Sequence, residues 1–544
     1  MFRSIYTKTL RDYRVAILGW GLGLALVVYA QFAALPEVLS TPESRASAVA
    51  VAQSFQFFGE PIAVDTPAGY VTWKTIGFLP LLVGIWAALA GARLARGAEE
   101  RGTLDIVLAA PRSRARVLGE GIAALVTALA LIGLLIGLGA LGGGAAAKEP
   151  VAAGAALLAG LNVGLMALLI GLFALLLSQF MARAGAAAGA AVGLAVLAWM
   201  VDGASRVVPN GGWISRLSPY HLYIVSKPLI ASVGADWAAM LALAALCVLC
   251  GAGSVALFAR RDVGGTIWAG FGVARRVSGE RALAGAAGDT SLRGVFPRSL
   301  RADATTIAWW LLGPALLVVG AVGTVRATKD QLGTMIGNSP FFKQLLGGSD
   351  AAFISGILFL FLPALLLVYA LILAESWARE LDAGRFELLL GTPTPRWRVF
   401  LDSWWATCVA LVLAPAVLWV VAFVSIRGWG LRVASGDLVA AFVGFLPLEL
   451  VVAALVYLVA GRFSAGAITG ALGGLIALSF LADFLNPVLK LPGWLVDLSL
   501  FHQYGTPIMG APHWGSWFVL VVIAAALVLL GLARFTRDDV ARGT

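Results

Sequence analysis

The sequence predicts an all-α polytopic membrane protein. It would have twelve transmembrane helices in two parallel six-helix pseudo-repeats, with the N- and C-termini both cytoplasmic. Three observations support this prediction. The chain has 544 residues, of which 60% are hydrophobic and only 12% charged, and its mean hydropathy is +0.91. Long apolar segments recur along it, and basic residues concentrate in every second loop. Ordered blocks of residues in the first half return in the second half.

A transmembrane helix needs roughly 20 mainly apolar residues. Twelve segments meet this requirement, and two of them are rich in Ala and Gly, which suit close packing of helices in a membrane. The predicted spans are 15–35, 72–92, 118–142, 153–178, 184–203, 237–259, 307–326, 353–374, 403–425, 438–460, 464–484 and 515–534.

The distribution of arginine predicts the orientation. The loop after the second segment contains Arg93, Arg96, Arg101, Arg112, Arg114 and Arg116. The loop 36–71, after the first segment, contains Arg45 as its only arginine. Cytoplasmic loops carry the excess of Lys and Arg in membrane proteins. Even-numbered loops and both termini are therefore predicted to be cytoplasmic.

The two halves of the chain share ordered blocks. Gly102, Leu108, Pro111 and Arg114 recur 282 positions later as Gly384, Leu390, Pro393 and Arg396. Ser218, His221 and Tyr223 recur 281 positions later as Ser499, His502 and Tyr504. Phe258 and Arg260 recur 277 positions later as Phe535 and Arg537. This order indicates a tandem duplication, with halves related by a pseudo-twofold axis along the membrane normal.

These patterns predict four regions. Residues 1–14 form an amphipathic interfacial helix or, alternatively, a basic flank that only orients the first span. Residues 15–262 form the first six-helix half, with a charged loop at 97–116 and an outer region at 204–236. Residues 263–299 form a cytoplasmic linker. Residues 300–544 form the second half, with loop 379–398 and outer region 485–514.

The loops 97–116 and 379–398 have more structure than orientation alone requires. Each contains a glycine that lets the chain turn, an acid, a short apolar run and a proline that stops a helix. The arginines alone would suffice to orient the neighbouring spans. Two copies of one such cytoplasmic loop predict two copies of one partner surface.

The stretch from Glu100 to Arg114 follows the pattern E-x-G-T-L-(D/E)-x-x-L-x-x-P-x-(S/T)-R. In this motif the chain resembles ABC-2-type permeases, and more narrowly the fused two-half permeases described as exporters of polyketide antibiotics. The resemblance implies that the loop forms a coupling helix that docks on a nucleotide-binding subunit. It assigns this role to Glu100, Gly102, Thr103, Leu104, Asp105, Leu108 and Pro111, and to Asp382, Gly384, Arg385, Phe386, Glu387, Leu390 and Pro393. The second copy departs from the motif at Arg385 and Phe386.

The resemblance also implies the partners and the location. The chain contains no GxxxxGK(S/T) phosphate loop, so it would be a transport subunit without a catalytic site, and ATP and Mg²⁺ would bind to two copies of a separate ATPase subunit. The other partners would be the lipid bilayer and a hydrophobic or amphiphilic small molecule that is exported, with no nucleic acid. The location would be a bacterial cytoplasmic (inner) membrane.

Outer regions 204–236 and 485–514 are too short to cross the membrane twice, and the resemblance implies that they are re-entrant. Each carries a repeated Ser, His and Tyr motif. His221, Tyr223, His502 and Tyr504 are therefore candidates for an outer gate. Alternatively, they form hydrogen bonds that hold the re-entrant turns. A metal site is disfavoured because no further ligands repeat.

Helices two, five, eight and eleven would line the pathway by resemblance. The large candidates on them are Phe78, Trp86, Trp199, Met200, Phe359, Phe361 and Phe480. Glu449 lies in the middle of the tenth span, where an ionisable residue is a functional candidate by default. It would bind substrate or a proton, or it would form a hydrogen bond that holds two helices together.

Two other classes of function remain open. An ion-coupled secondary transporter can also have twelve helices in two parallel halves, and Glu449 would then bind the coupling ion. A membrane enzyme or scaffold is the third class, but the sequence offers no set of catalytic side chains. The three cysteines Cys247, Cys250 and Cys408 lie in apolar segments and predict neither a metal nor a redox site.

Overall fold

The computed structural model describes residues 4–57, 59–149, 151–208, 210–267, 294–338, 350–359, 362–384, 394–489 and 492–537. Most of these residues are helical. A single two-residue antiparallel pair, β1 (Gly505–Thr506) with β2 (Ala511–Pro512), is the sheet in the described part of the chain.

The described residues of the first half form thirteen α-helices and two π-helical turns. The long helices suit a membrane because a helix pairs its backbone polar groups internally, away from lipid. The helices are α1 (Ile5–Asp12), α2 (Arg14–Val38), α3 (Pro42–Ser54), α4 (Pro67–Val71), α5 (Leu79–Ala92), α6 (Ala98–Glu100), α7 (Thr103–Leu108), α8 (Arg114–Ala146), α9 (Ala153–Leu177), α10 (Ala184–Val207), α11 (Gly212–Ser215), α12 (Pro219–Ile224) and α13 (Trp237–Arg260). The π-helical turns are Thr72–Ile76 and Arg93–Gly97.

The described residues of the second half contain nine α-helices, and the two-repeat organisation stays a prediction. Its helices are α14 (Val295–Asn338), α15 (Asp350–Leu358), α16 (Leu362–Asp382), α17 (Arg396–Gly428), α18 (Ser435–Val443), α19 (Phe445–Val459), α20 (Ala465–Leu489), α21 (Gly493–Asp497) and α22 (Trp514–Arg537). Short 3₁₀ turns cover His502–Tyr504 and Pro507–Met509. Helix α14 begins at Val295, within the predicted linker 263–299, most of which lies outside the described residues.

Eleven helical spans among the described residues are long and apolar enough to cross a membrane. They correspond to eleven of the twelve predicted spans. The remaining predicted span, 464–484, falls on α20, where the apolar stretch Ala465–Phe480 is shorter than the others. The number twelve therefore stays a prediction, as does the orientation of the termini.

The chain divides into two compact units. The first comprises the described residues of Met1–Ile267, Gly320–Ser349 and Leu481–Pro492. The second comprises those of Trp268–Val319, Asp350–Phe480 and Gly493–Thr544.

Close packing of α8 against α9 depends on glycine. A Cβ atom on Gly133 would lie 2.6 Å from the carbonyl oxygen of Gly160, and one on Gly137 would lie 2.7 Å from that of Ala156. Small residues at such crossings let helix backbones approach closely, which is the main source of helix association inside a membrane.

Helix α1 is attached to α8 by a carboxylate. The backbone N–H groups of Ile5 and Tyr6 donate to Glu120 Oε2 at 2.7 Å and 3.3 Å. The hydroxyl oxygens of Tyr6 and Thr127 are 3.1 Å apart. Glu120 therefore supplies the acceptor that unpaired N–H groups at the start of a helix require. The predicted helix at residues 1–14 is present as Ile5–Asp12, while its place in the membrane interface stays a prediction.

Candidate coupling site and outer face

The loop 97–116 folds into two short helices separated by a turn. Gly102 lies between α6 and α7 with φ +66°, a conformation that glycine adopts without steric cost. Thr103 follows as the first residue of α7, and its hydroxyl donates to the Ala98 carbonyl at 3.2 Å. The turn at Gly102 is as the sequence predicts. Helix α7 ends at Leu108, three residues before the exposed Pro111.

The apolar residues of α7 do not form a single exposed face. Leu104 is only 3% exposed, whereas Ile106 is 75% exposed. Val107 and Leu108 are half-buried, and Asp105 is exposed. A partner that docks on this helix would therefore contact Ile106 and Asp105, and Leu104 would hold the helix on the membrane domain.

A buried ion-pair network lies beneath this loop. Glu99 Oε2 accepts from Arg96 Nη1 at 2.7 Å, and Glu99 Oε1 accepts from Arg261 Nη2 at 2.5 Å. All three side chains are about 3% exposed. Arg261 Nε also donates to Gln179 Oε1 at 2.8 Å, and both arginines donate to the Gly265 carbonyl. The network joins the loop to the end of α13 and the residues that follow it.

Glu100 connects the loop to a different helix. Its Oε1 accepts a hydrogen bond from the backbone N–H of Ala184, the first residue of α10, at 2.7 Å. Asp382 Oδ2 accepts from the backbone N–H of Ala465, the first residue of α20, at the same distance. An acid at a helix start satisfies an unpaired donor and interacts favourably with the helix dipole. Both halves of the chain thus use an acid of the charged loop, 97–116 or 379–398, to cap the following Ala- and Gly-rich helix.

The second loop is described only at its edges. Gly384 has φ +65°, which matches Gly102. Arg385, Phe386, Glu387, Leu390 and Pro393 lie outside the described residues. Their assignment to an ATPase-docking helix stays a prediction.

The serine of the repeated outer motif bonds to the preceding long helix in both halves. Ser218 Oγ donates to the Ala198 carbonyl at 2.6 Å, and Ser499 Oγ donates to the Ser479 carbonyl at 3.0 Å. Donor and acceptor are 20 residues apart in both cases. Each serine thereby fixes the short outer segment to the helix that precedes it.

The tyrosines of the first outer motif bind to a break in the second span. Tyr220 and Tyr223 donate their hydroxyl hydrogens to the carbonyls of Gly77 at 2.7 Å and Ile76 at 2.6 Å. These carbonyls lie where the π-helical turn Thr72–Ile76 ends before α5. Burial raises the pKa of both phenols, so they remain neutral donors.

Tyr504 makes a different contact from its counterpart Tyr223. Its hydroxyl donates to the Ala441 carbonyl in α18 at 2.6 Å, and burial raises its pKa as well. Both repeated tyrosines donate to a backbone carbonyl, but the two carbonyls belong to different elements, and a role in an outer gate stays a prediction.

The repeated histidines are more exposed and differ in their acidic neighbours. His221 Nδ1 is 3.5 Å from Oδ1 of the buried Asp202, whose Oδ2 accepts from Arg206 at 2.6 Å. His502 Nε2 is 3.6 Å from Oδ1 of the exposed Asp497. Among the described residues, no group of three or more His, Cys, Asp or Glu side chains could hold a metal ion.

The predicted pathway residues have varied surroundings. Trp199 is buried and edge-on to Phe57, and Phe480 is buried and edge-on to Phe501. The half-buried pathway candidates are Phe78, Trp86, Met200 and Phe359. Phe361 lies outside the described residues. That these side chains line a pathway stays a prediction.

Glu449 is fully buried in α19, at 0% exposure. Neither of its carboxylate oxygens has a hydrogen-bond partner among the described residues. The alternative in which Glu449 joins two helices through a hydrogen bond therefore has no partner in the described part of the chain.

The network of Arg96, Glu99, Arg261 and Gln179 was not predicted from the sequence, where the arginines served only to orient the spans. The available signal was that these charges adjoin long apolar segments, where charged side chains are usually paired. The pairing itself joins residues 82 and 162 positions apart in sequence, which spacing does not predict.

Two family models match the chain and together cover most of it. Residues 3–263 match the ABC-2 family transporter protein model. Residues 292–536 match the model for the C-terminal domain of the multidrug efflux system permease Rv1217c. No curated protein matches the chain significantly. With its apolar helices, its short loop helix and these two matches, the chain belongs to the ABC-2-type permeases, the multi-pass membrane subunits of ABC transporters.

Proposed function

We propose that the chain is the permease of an ATP-driven exporter, and that two copies of a separate ATPase subunit dock on its loops 97–116 and 379–398. Hydrolysis of ATP with Mg²⁺ would occur on those subunits. The exported substrate would be a hydrophobic or amphiphilic drug, antibiotic or lipid-like molecule, and the location would be a bacterial inner membrane. The family whose model matches residues 292–536 is described as a multidrug efflux permease, which supports the substrate class.

The exposed Ile106 on a firmly anchored short helix carries this proposal. An apolar side chain that is 75% exposed outside the membrane-spanning segments suits a protein contact. The buried ion pairs of Glu99 hold α6, which directly precedes the turn at Gly102 and α7. Glu100 caps α10. A movement of the bound ATPase would therefore shift α10 through the hydrogen bond of Glu100 and the end of α13 through the ion pair of Glu99 with Arg261.

Co-purification with the proposed ATPase subunit tests docking. Ile106→Asp should lower the amount of ATPase that co-purifies with each permease, because it places a charge in the apolar contact of one of the two proposed docking loops. Leu217→Asp is the matched control, since Leu217 is 69% exposed on the predicted outer side. It should leave co-purification unchanged. Equal binding by both variants would contradict docking at the first loop.

Glu449 favours a second candidate function, an ion-coupled secondary transporter. A buried carboxylate without a partner among the described residues is what a proton-binding site requires. Flux into vesicles that is driven by a proton gradient alone and lost in Glu449→Gln would support this alternative. Flux that requires ATP and the ATPase subunit would reject it.

A further inference from the structure

An aromatic cluster lies in the second unit, formed by Phe359, Phe442, Phe445, Tyr504 and Trp517. Phe445 and Tyr504 stack with ring centroids 4.8 Å apart. Phe359 stacks on both, at 5.9 Å and 6.0 Å. Phe442 meets Phe359 edge-on at 6.0 Å, and Trp517 is 6.4 Å from Tyr504.

Glu449 lies one helical turn from this cluster. It is four residues after Phe445 on α19, so the two side chains share a face with Cβ atoms about 5–6 Å apart. Tyr369, on the helix α16 that packs against α19, donates its hydroxyl to Ala410 instead of to the carboxylate. Within the described residues the carboxylate of Glu449 is thus left without a donor.

The chemistry of this juxtaposition selects cations. A lone ionised carboxylate inside a membrane is costly, so the group is protonated or has a cation beside it. Aromatic faces attract cations through their quadrupole, most strongly where water is excluded. A lipophilic cation, whose charge is shielded by aryl or alkyl groups, can pair with the carboxylate and contact the aromatic rings at the same time. Such a cation needs no hydrogen-bond acceptors.

The arrangement belongs to the second half alone. Positions 281 residues earlier hold Leu161, Gly164 and Leu168 in place of Phe442, Phe445 and Glu449, and Gly77 stands 282 residues before Phe359. The first half therefore lacks both the carboxylate and most of the rings. One such site per chain follows from the sequence.

We propose that Glu449 and the aromatic cluster form a binding site for lipophilic organic cations, which makes such cations a substrate class of this permease. This inference rests on the proposed export function and names its substrate. Phe359 is the half-buried ring of the cluster and lies between α15 and α16. A ligand enters by displacing this ring, and the charge then pairs with Glu449.

Binding of tetraphenylphosphonium to the purified chain in lipid nanodiscs tests the inference. Glu449→Gln should weaken the binding of tetraphenylphosphonium about tenfold or more, because the variant loses the ion pair between the carboxylate and the cation. The neutral probe triphenylphosphine oxide should bind equally well to both proteins. Glu375→Gln is the matched control, since Glu375 is a second buried acid in the same half. It should leave tetraphenylphosphonium affinity unchanged.

A measurement on the unmodified chain covers the case in which Glu449→Gln does not fold. Dicyclohexylcarbodiimide labels protonated carboxyl groups in apolar surroundings, and mass spectrometry locates the label. Tetraphenylphosphonium should protect Glu449 from labelling, and triphenylphosphine oxide should not. Unchanged labelling of Glu449, or unchanged tetraphenylphosphonium affinity in a folded Glu449→Gln, overturns the inference.

These experiments need no ATPase subunit, so their outcome tests the cation site independently of the proposed ATP-driven export. If an ATPase docks and drives export while Glu449→Gln binds the cation normally, only the cation site is wrong. If Glu449 binds the cation but no ATPase associates with the chain, the export proposal fails and the site stands.

Discussion

Glu100 accepts a hydrogen bond from the backbone N–H of Ala184 at 2.7 Å, and this contact joins the loop 97–116 to the start of α10. The same contact recurs between Asp382 and Ala465. Both acids were predicted to act on an ATPase, yet the structure directs them toward the membrane domain. If the loops couple the chain to an ATPase, these two acids would make α10 and α20 move together with the loops.

Removing this cap should loosen α10. We expect Glu100→Ala to cost about 1–2 kcal/mol, because the N–H of Ala184 loses a charged acceptor. Asp105→Ala is the control, since Asp105 is an exposed acid in the same loop, and surface changes usually stay within about 0.5 kcal/mol. Thermal unfolding of the two variants in nanodiscs measures the difference. Equal midpoints for both would show that the cap contributes little.

The buried network of Glu99 should be the most sensitive part of the loop. Glu99→Leu leaves Arg96 and Arg261 buried without their carboxylate, and breaking a buried pair costs about 3–5 kcal/mol. Arg116→Ala removes an exposed arginine from its pair with Glu120, which should cost about 0–1 kcal/mol. The midpoint of thermal unfolding compares them. A smaller shift for Glu99→Leu than for Arg116→Ala would contradict the network's role.

The tyrosine contacts distinguish a brace from a gate. Tyr223→Phe removes the hydroxyl that pairs with the buried Ile76 carbonyl and should cost about 1–3 kcal/mol. His221→Ala changes a half-exposed ring of the same motif and should affect unfolding less. Thermal unfolding and export are measured together on both variants. Lost export with an unchanged unfolding midpoint in Tyr223→Phe would favour a gate.

Helix packing at Gly160 should tolerate no side chain. A Cβ atom there would overlap the Gly133 carbonyl oxygen, so Gly160→Ala should push α9 away from α8 and lower the unfolding midpoint. Gly154→Ala lies on the same helix with open space around its Cβ position. It should be neutral or stabilising by up to about 1 kcal/mol. An unchanged midpoint in Gly160→Ala would mean that the two helices are free to separate.

Hydropathy was sufficient to locate eleven of the predicted spans, because length and apolar composition are local properties of the sequence. The twelfth predicted span, on α20, is the exception, because its apolar stretch among the described residues, Ala465–Phe480, is shorter than the others. The turns at Gly102 and Gly384 were also predictable, since only glycine adopts positive φ without cost.

Side-chain pairing was less predictable. The sequence placed Leu104 among the docking residues, but α7 directs it inward and leaves Ile106 outside. The burial of each side of a six-residue helix depends on what lies beneath it, and periodicity over so few residues does not decide it. The carbonyl partners of Tyr223 and Tyr504 likewise depend on where two distant segments meet.

Site-specific cross-linking tests the central claim most directly. The chain has only Cys247, Cys250 and Cys408, all within membrane helices, so they are replaced by alanine and one cysteine is introduced at Ile106 or Leu217. With the ATPase subunit present, Ile106→Cys should cross-link to it and Leu217→Cys should not. Equal cross-linking at both positions, or none at Ile106→Cys while the ATPase still co-purifies, would contradict docking on the first coupling loop.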